Sequence, residues 1–235
     1  MRKIVILAAL AAFVSAGAAQ AASVMTSKGT QGLVFQFSGL SNLGVSSYNA
    51  GVTPDLGNFK LIGDAGTFGI GFKHYMNDMM AIRPSLEIGI ASNKVNAQAG
   101  GFTDYKESLT SLGLSAVLEK HMPSPATPVS PFLGVGAGFG IASYKEEPSR
   151  ETSPPNGRLL ETKVSGTSFA AFGVAGFEVA VMDGVNLGGE YRLGFKATSG
   201  SIEMKAQGVE TDKTDGSSFG LGFGSASLFA NIAWK

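Results

Sequence analysis

The sequence predicts an all-β chain whose eight antiparallel strands close up-and-down into a barrel, and three observations predict it. Apolar residues recur at every second position along most of the chain, the segments that show this are even in number, and short connections alternate with long ones. Composition agrees with that class. Of 235 residues 33 are Gly, and only 15% are charged, against about 25% in an average soluble domain. Eighteen Lys plus Arg offset eighteen Asp plus Glu, so no net positive field exists to gather nucleic acid, and none is expected as a partner. The absence of Cys excludes disulfide scaffolds, thiolate metal sites and a lipid-modified N-terminal Cys, and two His leave few metal ligands. No metal or cofactor is expected.

The N-terminus reads as an address. Arg2 and Lys3 precede an apolar run from Ile4 to Val14, and small residues lead to Ala19-Gln20-Ala21, the pattern of a cleaved signal peptide over 1–22. The run is shorter than the ~20 residues a membrane helix needs. The remaining 23–235 shows no linker or break in composition and reads as one domain. Either it is soluble outside the cytoplasm, or it crosses a membrane as strands.

The strands follow in order. The first two candidates are Leu33 to Leu40 and Thr67 to Tyr75. The third, Ala81 to Ala91, sets Ile82, Pro84, Leu86, Ile88 and Ile90 on one face against Arg83, Ser85, Glu87 and Gly89 on the other. Leu109 to Lys120 is the fourth. The fifth, Phe132 to Ser143, carries Leu133, Val135, Ala137, Phe139 and Ile141 against Gly134, Gly136, Gly138 and Gly140, a stripe that leaves room for bulky neighbours in a narrow interior. Ser168 to Val181 is the sixth. The seventh, Val185 to Lys196, shows the clearest alternation, with Val185, Leu187, Tyr191, Leu193 and Phe195 opposite Asn186, Glu190, Arg192 and Lys196. A helix would scatter these sets over its circumference. In the eighth, Gly224 to Trp234, the parity of Leu228, Ala230, Ile232 and Trp234 is opposite to that of Phe219, Leu221 and Phe223, so either a bulge lies near Gly224 or the earlier segment belongs to the last loop. Asn77 to Met80, Met122 to Ser130 and Met182 to Gly184 are brief connections. Long loops are expected to hold much of the charge, as in Lys145 through Lys163 and Glu203 through Asp215.

Periodicity does not say which face is dry. A Gly stripe makes a poor solvated surface and suits a crowded inside, so the apolar face is expected to meet lipid. The inward set then includes Lys73, Arg83, Glu87, Glu119, Glu178, Glu190, Arg192 and Lys196, four charges of each sign. In a lumen barely wider than its side chains these are expected to pair as an ion network, either a structural plug or the lining of a gated polar path.

Four segments carry a family resemblance: Gly69-Ile70-Gly71-Phe72-Lys73-His74-Tyr75 before an Asn77-Asp78 turn, Arg83-Pro84-Ser85-Leu86-Glu87-Ile88-Gly89, Pro131-Phe132-Leu133-Gly134-Val135-Gly136-Ala137-Gly138, and Gly189-Glu190-Tyr191-Arg192-Leu193. In their order and spacing the chain from about Gly32 to Lys235 resembles the small outer-membrane barrels of the OmpA, OmpX and opacity-protein type. The resemblance implies an eight-stranded transmembrane barrel with short periplasmic turns and four long extracellular loops. It also implies insertion by the barrel-assembly machinery, which reads a last strand ending in an aromatic residue; here Trp234 is followed by Lys235. The chain is expected to lack the peptidoglycan-binding domain that larger members append.

Some small barrels are lipid-modifying enzymes, which need a His near the outer leaflet. His74 and His121 each sit beside a short turn, at the other end, and both are expected to be interfacial. No Gly-x-Ser-x-Gly elbow is present, and the period-2 Gly134 to Gly140 run is not a nucleotide loop. No catalytic residue is expected. The sequence therefore predicts a monomeric, non-enzymatic barrel in the outer membrane of a Gram-negative bacterium. It would contribute to envelope integrity and adhesion-type contacts through its loops, with outer-membrane lipid and lipopolysaccharide around it and an unidentified extracellular ligand. A small porin-like channel and a soluble periplasmic lipocalin-like carrier are the alternatives.

Overall fold

The structure, a computed structural model, describes residues 23–38, 68–95, 105–123, 127–148, 160–206 and 209–235. The expected signal peptide lies outside the described residues. Among them there is no helix, and the chain is an all-β antiparallel sheet: β1 (Gln31–Ser38), β2 (Phe68–Tyr75), β3 (Met80–Val95), β4 (Tyr105–His121), β5 (Val129–Pro148), β6 (Leu160–Met182), β7 (Val185–Ala206) and β8 (Val209–Trp234). Each strand pairs with its sequence neighbour, and β1 also pairs with β8, from Gln31 opposite Trp234 to Ser38 opposite Ser227.

Alternation in the sequence becomes alternation in burial. Along β3, Ala81, Arg83, Ser85, Glu87 and Gly89 are buried while Ile82, Pro84, Leu86, Ile88 and Ile90 are exposed. The polarity is that of a protein turned inside out: Leu133, Val135 and Phe139 are at least half exposed, whereas Lys73, Arg83, Glu119 and Glu178 are 0% exposed. That arrangement overturns the lipocalin-like alternative, which requires a dry interior and a polar exterior.

The short connections are built by local chemistry. Between β2 and β3, Asn77 Oδ1 accepts hydrogen bonds from the amides of Met79 (2.9 Å) and Met80 (2.8 Å), an Asx turn that reverses the chain. Asp183 and Gly184 alone join β6 to β7, and Gly184 adopts φ 74°, where a Cβ would also meet the Ala233 carbonyl oxygen at 2.7 Å.

Two expectations are corrected. Lys145 to Pro148 and Leu160 to Lys163 belong to β5 and β6, and Glu203 to Ala206 and Val209 to Asp215 belong to β7 and β8, so charge expected in long loops lies on strand extensions. Both faces of such a hairpin take polar side chains, so the apolar alternation fades while the backbone ladder continues. In β8 the bulge alternative holds: Tyr191 pairs with Ala226 but Leu193 with Phe223, so β8 gains one residue near Gly224. The parity of the flanking apolar residues switches there, and Phe219, Leu221 and Ile232 are all exposed.

Candidate functional site

The inward positions of β2, β3, β4, β6 and β7 bring seven of the eight expected charges into one chain of alternating sign. Glu178 and Glu119 share the Lys73 ammonium, with Glu119 Oε2 2.8 Å from Nζ. Glu119 Oε1 is also 2.7 Å from Arg83 Nε, and a terminal nitrogen of Arg83 pairs with Glu190. Glu190 in turn takes Arg192 Nε at 2.8 Å, and Arg192 Nη1 reaches Glu87 at 2.8 Å. Since β2 lies opposite β6 in the strand order, and β3 opposite β7, the Lys73–Glu178, Arg83–Glu190 and Arg192–Glu87 pairs each cross the lumen. Lys196 lies on the same face of β7, half-buried and nearer the far end.

Neutral groups complete the network: Asn186, already placed on the charged face of its strand, and Gln36, Ser227 and Asn231, which sequence reasoning missed. Gln36 donates to Glu190 (3.1 Å) and Ser227 (3.0 Å) and accepts from Arg192 (3.2 Å), and Asn186 and Asn231 both donate to Glu178. Buried charge that is paired and hydrogen-bonded persists, whereas unpaired charge does not. The signal was present in the sequence, because these side chains share the inward parity of the charges.

Below this layer lies an aromatic floor. Lys73 Nζ sits 5.4 Å from the Phe132 ring centre, 5.6 Å from Phe229 and 5.9 Å from Tyr75. Among the described residues, the inward Phe132, Phe172 and Phe229 each stand opposite a glycine. Gly176 pairs with Phe132, Gly136 with Phe172 and Gly188 with Phe229, and a Cβ on these glycines would lie 2.4, 2.7 and 2.3 Å from the ring. Toward the other mouth β4 passes Ser115, bonded to Ser85 at 2.7 Å, then Ser111, and reaches Leu109. There Tyr144, Val164 and Ile202 form an apolar row with it.

His121 is not interfacial, contrary to expectation. Its ring is 0% exposed and stacks on Phe132 at 5.1 Å, because His121 shares the inward parity of Glu119. Nδ1 contacts Ser130 Oγ (3.2 Å) and Nε2 contacts Glu119 Oε2 (3.1 Å), an order of groups that superficially matches a Ser-His-acid triad. Ser130 is itself fully buried and Glu119 is already neutralised by Lys73 and Arg83, so the arrangement holds the floor together and offers no nucleophile to a substrate. Glu119, His121 and Glu178 also present donor atoms within 4.8 Å of one another, but the Lys73 ammonium supplies the positive charge among them. His74 is half-buried on the opposite parity.

Outside, each strand carries an apolar band with sharp ends. On β6 it runs from Phe177 to Phe169, and on β7 from Leu187 to Phe195. Above it stands a row of hydroxyls, Thr167, Ser199 and Ser217, and then a charged row, Lys163, Glu203 and Lys213, each set being register partners across β6, β7 and β8. In that region Lys145 lies between Glu147 and Glu161, the latter at 3.1 Å; hydrogen bonding to them raises the Lys145 pKa, and the Lys145 ammonium lowers that of Glu147.

A sheet whose first strand pairs with its last, charged within and apolar without, defines the class of integral membrane β-barrels. Residues 6–226 match the family described as outer membrane protein beta-barrel domain, and the chain belongs to that family: it is an outer-membrane barrel protein. No curated protein matches the sequence. Among solved structures it is similar to a major outer membrane protein from Thermus thermophilus, at 10% identity and TM-score 0.51, over 87% of this chain and 99% of that one. That likeness supports the fold. It is also similar to Ail, the attachment invasion locus protein of Yersinia pestis (15% identity, TM-score 0.37, 88% and 99% covered), and to Acinetobacter baumannii CarO2 (9%, 0.42, 88% and 99%).

Proposed function

We propose that the chain spans the outer membrane as an eight-stranded up-and-down barrel, its short connections in the periplasm and its long hairpins outside, and that it acts as a monomeric surface-contact protein with a plugged interior. The observation that carries this reading is the unequal length of the strands. β6, β7 and β8 have 23, 22 and 26 residues, although a span needs only about 9–11. From Phe169, the top of its apolar band, β6 continues nine residues to Leu160, about 30 Å along the strand and about 23 Å along the axis at a tilt of about 40°. The upper parts of β5 to β8 thus form a wall that rises through the headgroup layer and beyond it, and its outer end is a surface suited to adhesion-type contacts with an extracellular ligand.

In this reading residues 1–22 are a signal peptide removed on export, and the last strand, with Trp234, is read by the barrel-assembly machinery. The eight inward charges, Lys73, Arg83, Glu87, Glu119, Glu178, Glu190, Arg192 and Lys196, are structural: the three trans-lumen pairs and the aromatic floor stop conduction and tie opposite walls together.

Single-channel recording of the refolded protein in a planar bilayer tests it. A silent bilayer with insertion shown independently is expected, and discrete steps that change on Arg83→Gln or Glu190→Gln would replace the plug with a pore.

A further inference from the structure

On the outer wall of β1 to β6 a shallow, largely open apolar groove of about 670 Å³ crosses the middle of the band, its β3 to β6 side nearest Lys145 and Lys163. Pro84, Ala116 and Ala137, successive register partners on β3, β4 and β5, make a low floor, and Leu114, Phe139 and Phe169 rise along its upper side. Ala137 is the midpoint of the apolar run Leu133 to Ile141.

Farther along the same strands two lysine pairs occur where a sheet disfavours them. Lys94 is the register partner of Lys106, and Lys145 of Lys163, although like charges directly opposite one another destabilise strand pairing. The row through the second pair reads Ser108, Lys145, Lys163, Glu203, Lys213, three cations to one carboxylate. Glu147 and Glu161 approach Lys145 from the next row, while Lys163 is exposed across from it.

The groove and the lysines are spaced as the parts of one lipid. Lys145 is eight residues beyond Ala137, about 27 Å along the strand and about 20 Å along the axis at a tilt of about 40°. One leaflet contributes about 15 Å of hydrocarbon and about 6 Å of headgroup. A chain terminus at the floor therefore places a headgroup phosphate at the lysine row, where ammonium groups bind it by charge-assisted hydrogen bonds.

We propose that the β3 to β6 wall binds the phosphorylated glycolipid of the outer leaflet, one acyl chain in the groove over Ala116 and Ala137 and a phosphate between Lys145 and Lys163. The inference rests on the orientation proposed above. The bound anion would add to the compensation that Glu147 and Glu161 give Lys145 and Glu203 gives Lys163, the two lysines that stand face to face at this height.

The test uses the refolded full chain in zwitterionic micelles, with diphosphoryl lipid A and its dephosphorylated form as probes and native mass spectrometry as the readout. The phosphorylated lipid is expected to be retained one per chain and at least about tenfold better than the dephosphorylated form. Lys145→Gln with Lys163→Gln removes that preference, and Ala137→Phe, which fills the groove, weakens retention with both lysines intact. Heat-modifiable gel mobility shows that each variant is folded. Equal retention of the two lipids, or wild-type retention by either variant, overturns the proposal. So does inorganic phosphate that competes fully while Ala137→Phe changes nothing, since that describes an anion site without a chain. Trypsin cleavage between Lys145 and Lys163 on intact cells reads the orientation separately: its absence overturns the orientation, whereas the lipid comparison alone decides the groove and lysines.

Discussion

Replacing Arg83 by Met tests whether the interior network is held by its charge alternation. Arg83 is fully buried, bridges Glu119 and Glu190, and lies 5.4 Å over the Phe229 ring. Met keeps much of the packing and removes the charge. Without it, Glu119 retains Lys73 at 2.8 Å and Glu190 retains Arg192 at 2.8 Å, so neither carboxylate is stranded. Removing one partner of a buried pair costs about 3–5 kcal/mol when the remaining charge is uncompensated, and the retained partners put this case at the low end, about 3 kcal/mol. Adding Glu190→Gln to Arg83→Met deletes a carboxylate that has lost a cation. The pair is expected to be less destabilised than the sum of the single variants by about 1–2 kcal/mol. Urea unfolding of the refolded barrel, followed by the emission of the single Trp, measures both quantities, with an unchanged denaturant slope as the check that the same surface unfolds. An Arg83→Met protein within about 0.5 kcal/mol of wild type, or strict additivity of the two substitutions, would refute the idea that these charges act as a connected unit.

Other substitutions probe the wall. Gly194→Ala places a Cβ 2.2 Å from the Ala171 carbonyl oxygen and 2.6 Å from Phe172 Cα, so the strands must part, at about 1–3 kcal/mol, whereas nothing lies within 4 Å of a Cβ at Gly220 and Gly220→Ala is expected within about 0.5 kcal/mol of wild type. Urea midpoints of the two variants check this contrast. Gly184→Ala forces a side chain onto φ 74° and is expected to cost about 1–2 kcal/mol in the same assay. Leu193→Arg, in the apolar band, is expected to lose about 2–4 kcal/mol when refolded into vesicles, and Ser199→Arg, in the hydroxyl row, about 0–1; equal losses would move the membrane boundary from where Thr167, Ser199 and Ser217 put it.

How much was legible depended on whether a residue's environment differed between the two faces. Within the lipid band it does, and Arg83 against Ile82, or Glu190 against Tyr191, could be assigned by parity alone. Beyond the band both faces of the hairpins are polar, and Glu203 to Asp215 read as a loop for that reason although the ladder runs through most of it. The interior aromatics were missed because the inward set was drawn from charged residues and glycines, and Phe, an apolar type, was given no place in it. Phe132 and Phe229 share the inward parity of Gly134 and Ser227, and position carried the information that residue class concealed. His121 was misplaced in the same way, by its nearness to a turn, when its parity with Glu119 already put it inside.

The Phe–Gly oppositions bear on a problem that polarity cannot solve. A strand that slips by one residue turns its charges to the lipid and is rejected. A slip of two leaves every charge inside and every apolar residue outside, and the membrane cannot tell it from the correct pairing. Such a slip between β5 and β6 would take Phe132 off Gly176 and set it against Val174 or Glu178, while Gly136 would lose Phe172. Between β7 and β8, Phe229 would leave Gly188 for Asn186 or Glu190. Rings seated in gaps where a side chain is missing act as an alignment key: they let the sheet count its own residues while the lipid around it reads only odd from even.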